Sequence, residues 1–442
     1  MNPIAYVRRL FAVDRRVLVL ALARAVDSLG NSFLIIVLPL YIADVIGGSS
    51  AGVTVDIVGV DVTLAQSLAV GIVLSMFGFL NSFGQPFTGR WSDRVGKRRV
   101  FVLFGLGVLA VTNVAYAFAG DYVSLFVIRA VQGFGVAFTV PATIALVNEL
   151  ATDDTRGNNM GVFNTFRLLG FGLGPIVAGG LVHGGPYALG PVLLSGYNAA
   201  FAIAAGGALV SLVLVALLVT DPERVEADAG DDLSIAVLDH ERDEKLLDPV
   251  FTLGLASLFM AIGIALISAI EADVNARLDQ TAFLFGIEFA AFVLAQVLLQ
   301  APIGSASDDY GRKPFILYGL LLLAPATAAQ GFVTEPWMMI VARFVQGVAG
   351  AAVFAPALAL AGDYARAGQS GTQLSVLTMA FGLGVAIGPL ASGALATIAY
   401  AAPFVLGGLL ALLGAALVYT QVSDTVKPGE EAAASSEAAG SD

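Results

Sequence analysis

The sequence of 442 residues contains no cysteine and only two histidines, His183 and His240. The missing thiols exclude disulfides, thiolate catalysis and cysteine-ligated metals. Both histidines fall in predicted loops, so a histidine metal cluster or a histidine proton relay within a membrane is not expected. The sequence predicts no metal site and no cofactor. We also expect no enzymatic activity, because no catalytic constellation is clustered along the chain.

Charged residues are scarce as well. They make up 13% of the chain, whereas about 25% is usual in soluble proteins, and 57% of the residues are apolar. The mean hydropathy is +0.85. Such a chain has too little polar surface to face water on all sides, so lipid is the expected environment. The net charge of -12 makes nucleic acid an improbable partner, because phosphate backbones are bound by basic surfaces.

Long apolar runs occur along the whole chain. A helix needs about 20 such residues to cross a hydrocarbon core of about 30 Å. The sequence predicts an all-α integral membrane protein with twelve spans, at 17–42, 66–88, 99–119, 122–148, 158–183, 196–219, 249–272, 282–304, 314–333, 336–361, 371–397 and 402–421.

The spans divide into two sets of six. We predict an N-terminal six-helix bundle over 1–219 and a C-terminal one over 249–421. The charged stretch 220–248 is expected to be an acidic cytoplasmic linker. The tail 422–442, rich in Ala, Ser, Gly and Glu, lacks the apolar residues needed to pack and is predicted to be disordered.

Arginine and lysine are distributed unequally between the loops. With the N-terminus inside, nearly all of them fall in inner loops, while the outer loops hold mainly acidic residues and Arg277. Basic loops stay on the cytoplasmic side of a membrane. We therefore predict a multi-pass protein of the plasma membrane with both termini in the cytoplasm.

Three segments of the first half recur in the second at a constant offset of 214 or 215 residues. Residues 89–99 recur at 304–314, 129–133 at 343–347, and 170–175 at 384–389. An even number of spans in each repeat gives both copies the same orientation. The halves should then be related by an axis along the membrane normal, with a substrate site between them near the midplane.

The first repeated segment carries a specific motif. Gly89, Asp93, Arg94, Gly96 and the basic residues after it fit the pattern G-x-x-x-D-R-x-G-R-R, and the second copy is looser because Asp309 replaces the first basic residue. This loop resembles the signature of the major facilitator superfamily. The resemblance covers nearly the whole chain and implies two pseudo-symmetric six-helix bundles, secondary transport by alternating access and a functional monomer. It also implies a gating role for Gly89, Asp93, Arg94, Gly96, Arg98, Gly304, Asp308, Gly311 and Arg312.

These residues also have a direct physical reading. Gly96 permits a tight turn. Asp93 can accept hydrogen bonds at a helix end, or pair with a nearby arginine and so latch the halves together on the inner side. The alternative is that the basic residues only fix the topology.

Arg129 and Arg343 lie about 10 Å inside their helices at 1.5 Å per residue. An arginine at mid-membrane depth costs about 2.5–3.5 kcal/mol on insertion scales, so it normally faces the protein interior with a partner. The shared Arg-x-x-Gln-Gly pattern resembles the superfamily's fourth-helix motif, which is linked there to proton coupling. The alternative is a structural hydrogen-bond anchor. Arg343, Gln132 and Gln346 are candidates for the substrate cavity.

Asp27 is the sharpest single candidate because it lies near the centre of the first span. Arg24 and Asn31 share its helix face. Burial and a neighbouring arginine act on a carboxylate in opposite directions, so such a group can be tuned to load and release a proton. We predict proton coupling by Asp27 with Arg24 and Arg129, and the alternative is a static Arg24–Asp27 pair. Asn31 and Arg167 are further cavity candidates, while Glu271 and Glu288 lie nearer the outer helix ends and are weaker ones.

The third repeated segment places small residues before a proline, which predicts close helix packing and a kink. The residues are Gly170, Gly174, Pro175, Gly384, Gly388 and Pro389. The first copy resembles the fifth-helix motif of the superfamily's efflux antiporters, but Ala178 stands where the first closing glycine is usual.

No phosphate-binding loop is present, so transport should run on ion or substrate gradients. We predict a proton-coupled exporter of small amphipathic or drug-like molecules. The alternatives are a proton symporter or facilitator for a sugar or organic acid and, from another class, a membrane sensor that does not transport.

Overall fold

The computed structural model describes residues 14–45, 53–57, 60–151, 156–222, 237, 245–364 and 370–425. Most of the predicted acidic linker and the tail beyond residue 425 lie outside these ranges. The predictions of an acidic cytoplasmic linker and a disordered tail therefore stay predictions.

Helices account for most of the described chain. In the first half they are α1 (Arg15–Val45), α2 (Gln66–Val95), α3 (Arg98–Tyr116), α4 (Tyr122–Glu149), α5 (Arg156–Gly184) and α6 (Gly196–Leu218). In the second half they are α7 (Pro249–Ala265), a short α8 (Glu271–Leu278), α9 (Ala282–Tyr310), α10 (Arg312–Ala329), α11 (Pro336–Tyr364), α12 (Ser370–Ala396) and α13 (Ala402–Gln421).

Within the described residues, eleven helices are long and apolar enough to cross a membrane. The twelfth is α10, which has 18 residues and begins with Arg312 and Lys313; these two charges lower its mean hydropathy. It packs on α11 and α13 as α3 packs on α4 and α6. The prediction of twelve spans in two six-helix bundles is confirmed.

The structure differs from the predicted spans in two places. The seventh span ends as an α-helix at Ala265, tightens into a 3-10 turn over Leu266–Ala269, and restarts as α8 at Glu271. Two segments treated as loops form antiparallel hairpins, β1 (Val53–Ile57) with β2 (Val60–Leu64), and β3 (Tyr187–Leu189) with β4 (Val192–Leu194). Their β-branched residues favour strands.

The two ends of the bundle differ in character. We call the end with the β-hairpins and α8 the hairpin end, and the end with the turns after α2 and α9 the motif end. The C-terminal part of α1 shares one buried apolar cluster with Ile267, Ile270 and Val274, so α1 and α7 point in the same direction. Both signature turns consequently lie at the motif end, as the repeat requires.

The halves meet through two related helix pairs, α2 with α12 and α5 with α9. The close approaches in the first pair run from Ser67 and Gly393 to Ser82 and Gly382. Those in the second pair run from Gly179 and Ala282 to Gly172 and Val293. All of these lie in the parts of the helices nearer the hairpin end. The structure therefore shows a conformation that is closed at the hairpin end.

Candidate functional site

Asp27 lies twelve residues into α1 and its side chain is only 6% exposed. Arg24, one turn earlier, donates from Nη1 to Asp27 Oδ2 at 2.6 Å. A buried carboxylate is stable only when paired and hydrogen-bonded. The predicted Arg24–Asp27 pair is therefore formed in this conformation.

A cavity of about 10 Å³ adjoins this pair, which is room for about one water molecule. Besides the pair and its α1 neighbours, it is lined by Val102 and Leu106 of α3, Thr139 and Thr143 of α4, and Val215 of α6. All of these belong to the first half. Asp27 thus faces the interior of the N-terminal bundle.

The helix geometry of α1 explains this orientation. Gly170 of α5 packs against the carbonyl of Ala25. The side of α1 that carries Ala25 therefore faces α5. Two residues later the side chain has rotated by about 200°, so Asp27 points away from α5 and into the bundle. The position of Asp27 along the chain predicts its depth, but the neighbours decide its direction.

Arg167 of α5 adds a second positive charge to this region. Its Nε donates to Asn164 Oδ1 at 2.9 Å, and its guanidinium interacts electrostatically with that of Arg24. Two arginines and one aspartate leave one excess positive charge when Asp27 is ionised. Asn31 lies one turn beyond Asp27, and its buried Oδ1 has no hydrogen-bond partner in the described structure.

Arg129 of α4 is 4% exposed and belongs to a different polar network. Its Nη1 donates to Gln132 Oε1 at 2.7 Å, and Gln132 Nε2 donates to Asn113 Oδ1 at 2.9 Å. The guanidinium also lies 4.2 Å from the ring centroid of Phe77. Arg129 is ten residues from Thr139 on the same helix, which is about 15 Å. The structure therefore does not bring Arg129 to Asp27, contrary to the predicted coupling group.

The second half repeats this network at the same offset. Arg343 Nη1 donates to Gln346 Oε1 at 2.5 Å, and Gln346 Nε2 donates to Thr327 Oγ1 at 2.9 Å. The guanidinium lies 4.8 Å from the Phe292 ring centroid, where Phe292 matches Phe77. The arginine and glutamine join three helices in the first half and four in the second, where they also donate to the carbonyl groups of Gly263 and Ile264 in α7. This duplication supports the anchor interpretation of Arg129 and Arg343.

The signature turns form two equivalent ion-pair clusters at the motif end. Arg98 pairs with Asp93 and with Glu149, the latter at 2.9 Å. Arg312 pairs with Asp308 at 3.1 Å and with Asp363. Each described pair joins helices of one half. The predicted latch between the halves is not made in this conformation, because the close contacts between halves lie toward the opposite end.

The glycines of the signature turns have separate roles. Gly96 ends α2 in the left-handed region with φ 66° and ψ 13°, and Gly311 has φ 97° and ψ 141°. Gly89 and Gly304 have ordinary surroundings, since an added Cβ would lie 3.5 Å and 3.8 Å from its nearest neighbour. Arg94 is exposed at the motif end.

The small-residue motifs pack as predicted in both halves. Cβ atoms at Gly170 and Gly174 would collide with α1, and Cβ atoms at Gly384 and Gly388 would collide with α7. Pro175 lies inside α5 and Pro389 inside α12. Their carbonyl groups are the surfaces against which the opposite half packs.

Glu271 and Glu288 stand out in the structure although the sequence analysis ranked them low. They are 0% and 1% exposed, and no oxygen of either carboxyl group has a hydrogen-bond partner within the described residues. An acidic residue inside an apolar run is a functional signal. Their position near helix ends gave no sign of how completely the folded chain buries them.

Within the part of the chain that the structure describes, no three His, Asp or Glu side chains are grouped as a metal site would require. The site residues are thus a paired aspartate, duplicated arginine networks and helix contacts between two related bundles. Comparison with known proteins identifies the family to which this arrangement belongs.

The sequence profile described as the Major Facilitator Superfamily matches residues 20–238 and 250–439. The chain belongs to this superfamily. It is accordingly a multi-pass membrane protein. A solved structure of a bacterial homolog of the human lysosomal transporter Spinster, in an inward-facing and occupied conformation, has the same fold, with a TM-score of 0.70 at 15% identity over 91% of this chain and 95% of that chain.

Two curated relatives are informative at the level of sequence. The synaptic vesicular amine transporter of Homo sapiens is 25% identical over 345 residues, which cover 75% of this chain and 62% of that protein. Multidrug resistance protein 1 of Bacillus subtilis is 28% identical over 158 residues, covering 35% of this chain and 37% of that protein. The matched part therefore spans less than two thirds of either relative.

Proposed function

We propose that this superfamily member is a proton-coupled exporter of small amphipathic molecules, and that Asp27 carries the proton. The observation that supports this most is the Arg24–Asp27 pair, buried at mid-helix beside a cavity for one water. When Asp27 binds a proton, its pairing with Arg24 weakens, and the freed guanidinium can reorient. A water in the cavity would provide the path for that proton.

The names of two relatives support the substrate class. One transports amines and the other is a multidrug resistance protein, and both descriptions fit small amphipathic molecules. We propose that the protein works as a monomer in the plasma membrane, with its motif end and both termini in the cytoplasm. Under this orientation the end at which the halves are closed together faces the outside.

The test is transport by purified protein in liposomes under an imposed pH gradient. Asp27→Asn keeps the shape of the side chain but removes its proton site. The variant should lose uptake driven by the gradient and keep exchange of labelled substrate for unlabelled substrate. Asp279→Asn is the matched control, because Asp279 is exposed and its positive φ of 47° suits asparagine.

The contrary result is also clear. If Asp27→Asn retains full gradient-driven transport, the Arg24–Asp27 pair is static and Asp27 does not carry the coupled proton. If the wild-type protein accumulates substrate without any ion gradient, proton coupling itself is wrong.

One observation favours a second substrate class, namely organic anions. Arg24 and Arg167 carry two positive charges, whereas Asp27 carries one negative charge. Two guanidinium groups can bind the carboxylate of an organic anion. Competition at the wild-type protein separates the classes. Tetraphenylphosphonium should inhibit export of a fluorescent cation if cations are the substrates, whereas benzoate should inhibit export of fluorescein if anions are.

A further inference from the structure

Glu271 and Glu288 form a buried acidic pair that the proton-coupling proposal for Asp27 does not use. Glu271 is the first residue of α8, and Glu288 lies about 9 Å into α9. The two carboxyl groups interact electrostatically with each other. Both are sealed from solvent and all four of their oxygens lack hydrogen-bond partners in the described structure.

The surroundings offer the pair little compensation. The side-chain amide of Asn275 interacts with the Glu271 carboxyl group and that of Gln280 with the Glu288 carboxyl group, while Gln280 Nε2 also donates to Asn275 Oδ1 at 3.2 Å. Both amides are neutral, so they do not balance the charge of the carboxylates. Arg343 interacts electrostatically with Glu288. Its Nη1 is bonded to Gln346 and to the Ile264 carbonyl, while its Nε and Nη2 make no hydrogen bond within the described residues. One guanidinium cannot balance two carboxylates, so the pair with Arg343 carries a net negative charge when both acids are ionised.

The pair lies where the two halves close. Ile270 and Val274 flank Glu271 and share one apolar cluster with Leu38 and Ile42 of α1. Tyr197 of α6, in the first half, interacts electrostatically with Glu271 and donates its hydroxyl to Asp44 at 2.5 Å. The first half therefore forms part of the cover over the pair. Opening of the hairpin end would remove that cover and admit water.

The other titratable groups around the pair do not supply its missing partner. Tyr400 interacts electrostatically with Glu288, Asp273 and Arg277. Arg277 is directed away, because its guanidinium lies 4.6 Å from the Tyr400 ring centroid and its Nε contacts the Val333 carbonyl. An unpaired carboxylate in a buried site is strongly disfavoured. The closed state thus requires either a proton or a cation at the pair.

We propose that Glu271 and Glu288 are a second proton-binding site, which must take up one proton before the hairpin end closes. In the open state water reaches both carboxylates, and one of them accepts a proton from the hairpin side. With Arg343 the group is then neutral and can be buried. On reopening, the O–H bond breaks and the proton returns to water on that side. High pH on the hairpin side therefore favours the open conformation.

This proposal concerns the conformational equilibrium and does not require that Asp27 carry a transported proton. It is tested with the full-length chain, spin-labelled at Leu193→Cys and Ile398→Cys. These residues lie at the hairpin end of opposite halves and are 70% and 76% exposed. The absence of native cysteine makes the labelling specific. Pulsed EPR in lipid nanodiscs free of sodium then gives the distance across the hairpin end.

The wild-type protein should show a longer distance as the pH rises. Between the pKa of the pair in the open state and its pKa in the closed state, the open-to-closed ratio should grow about tenfold for each pH unit. The double variant Glu271→Gln and Glu288→Gln should stay closed at all pH values. Glu335→Gln, an exposed change of the same kind at the same end, should respond as the wild type. If the double variant folds poorly, Glu288→Gln alone should reduce the pH response.

Two outcomes would overturn the proposal. A pH response that persists in the double variant places the titrating group elsewhere. A shift produced by sodium at fixed pH, and lost in the double variant, makes the pair a cation site. The proposal for Asp27 is judged separately, since Asp27→Asn should abolish gradient-driven transport while leaving this pH response intact.

Discussion

Gly71 of α2 lies so close to the carbonyl group of Pro389 in α12 that no side chain fits between them. Gly286 of α9 meets the carbonyl of Pro175 in α5 in the same way. The two glycines are 215 residues apart and the two prolines 214, so the repeat seen in the sequence reappears as a pair of equivalent contacts between the halves. Each contact depends on a glycine in one half and the main chain of the other.

Gly71→Ala should weaken the conformation closed at the hairpin end. A methyl group there would collide with rigid backbone, and overpacking of this kind costs about 1–3 kcal/mol. The closed-to-open ratio should fall by about fivefold to more than a hundredfold, measured as a longer distance between spin labels at positions 193 and 398. Gly286→Ala should act in the same direction. Gly206→Ala is the control, since nothing lies within 4 Å of its added Cβ, and an unchanged distance in Gly71→Ala would contradict the expectation.

Arg129→Gln and Arg343→Gln should behave alike, because the two arginines occupy equivalent networks. Each change leaves a buried glutamine without its guanidinium donor, which should cost about 2 kcal/mol and lower the unfolding temperature in detergent. Transport should fall to the same extent with and without a pH gradient. If Arg129→Gln instead loses only gradient-driven transport, Arg129 takes part in proton coupling.

The two glycines of the signature turns should differ in their tolerance of asparagine. Gly96 has a left-handed conformation that asparagine adopts at a cost below about 1 kcal/mol. Gly311 has φ 97° and ψ 141°, and a Cβ there would lie 2.6 Å from Asp424 Oδ2, so Gly311→Asn should cost about 1–3 kcal/mol. Thermal unfolding of the two variants measures the difference, and equal unfolding temperatures would refute it.

The proposed orientation can be tested with single cysteines in the cysteine-free chain. A maleimide that does not cross membranes should label Leu193→Cys in intact cells, because Leu193 is exposed at the hairpin end. Val95→Cys, exposed at the motif end, should be labelled only after the membrane is opened. The reverse pattern would place the motif end outside.

The sequence predicted the membrane spans, the duplication and the packing role of the glycine–proline segments. These follow from apolar runs and from residues that recur at one offset. It did not predict which way Asp27 points, because position along a helix determines depth in a membrane but not the neighbour that a side chain faces. It undervalued Glu271 and Glu288 for the same reason, since their burial comes from helices distant in sequence.

The position of Arg98 at the start of α3 has a mechanical consequence. Through Asp93 and Glu149 it clamps the ends of α2, α3 and α4 to one another, and Arg312 does the same for α9, α10 and α11. Three helices clamped at one end resist bending separately, so force applied to any one of them is carried by all three. We therefore expect each group of three helices to move as a single body whenever the two halves change their relative position.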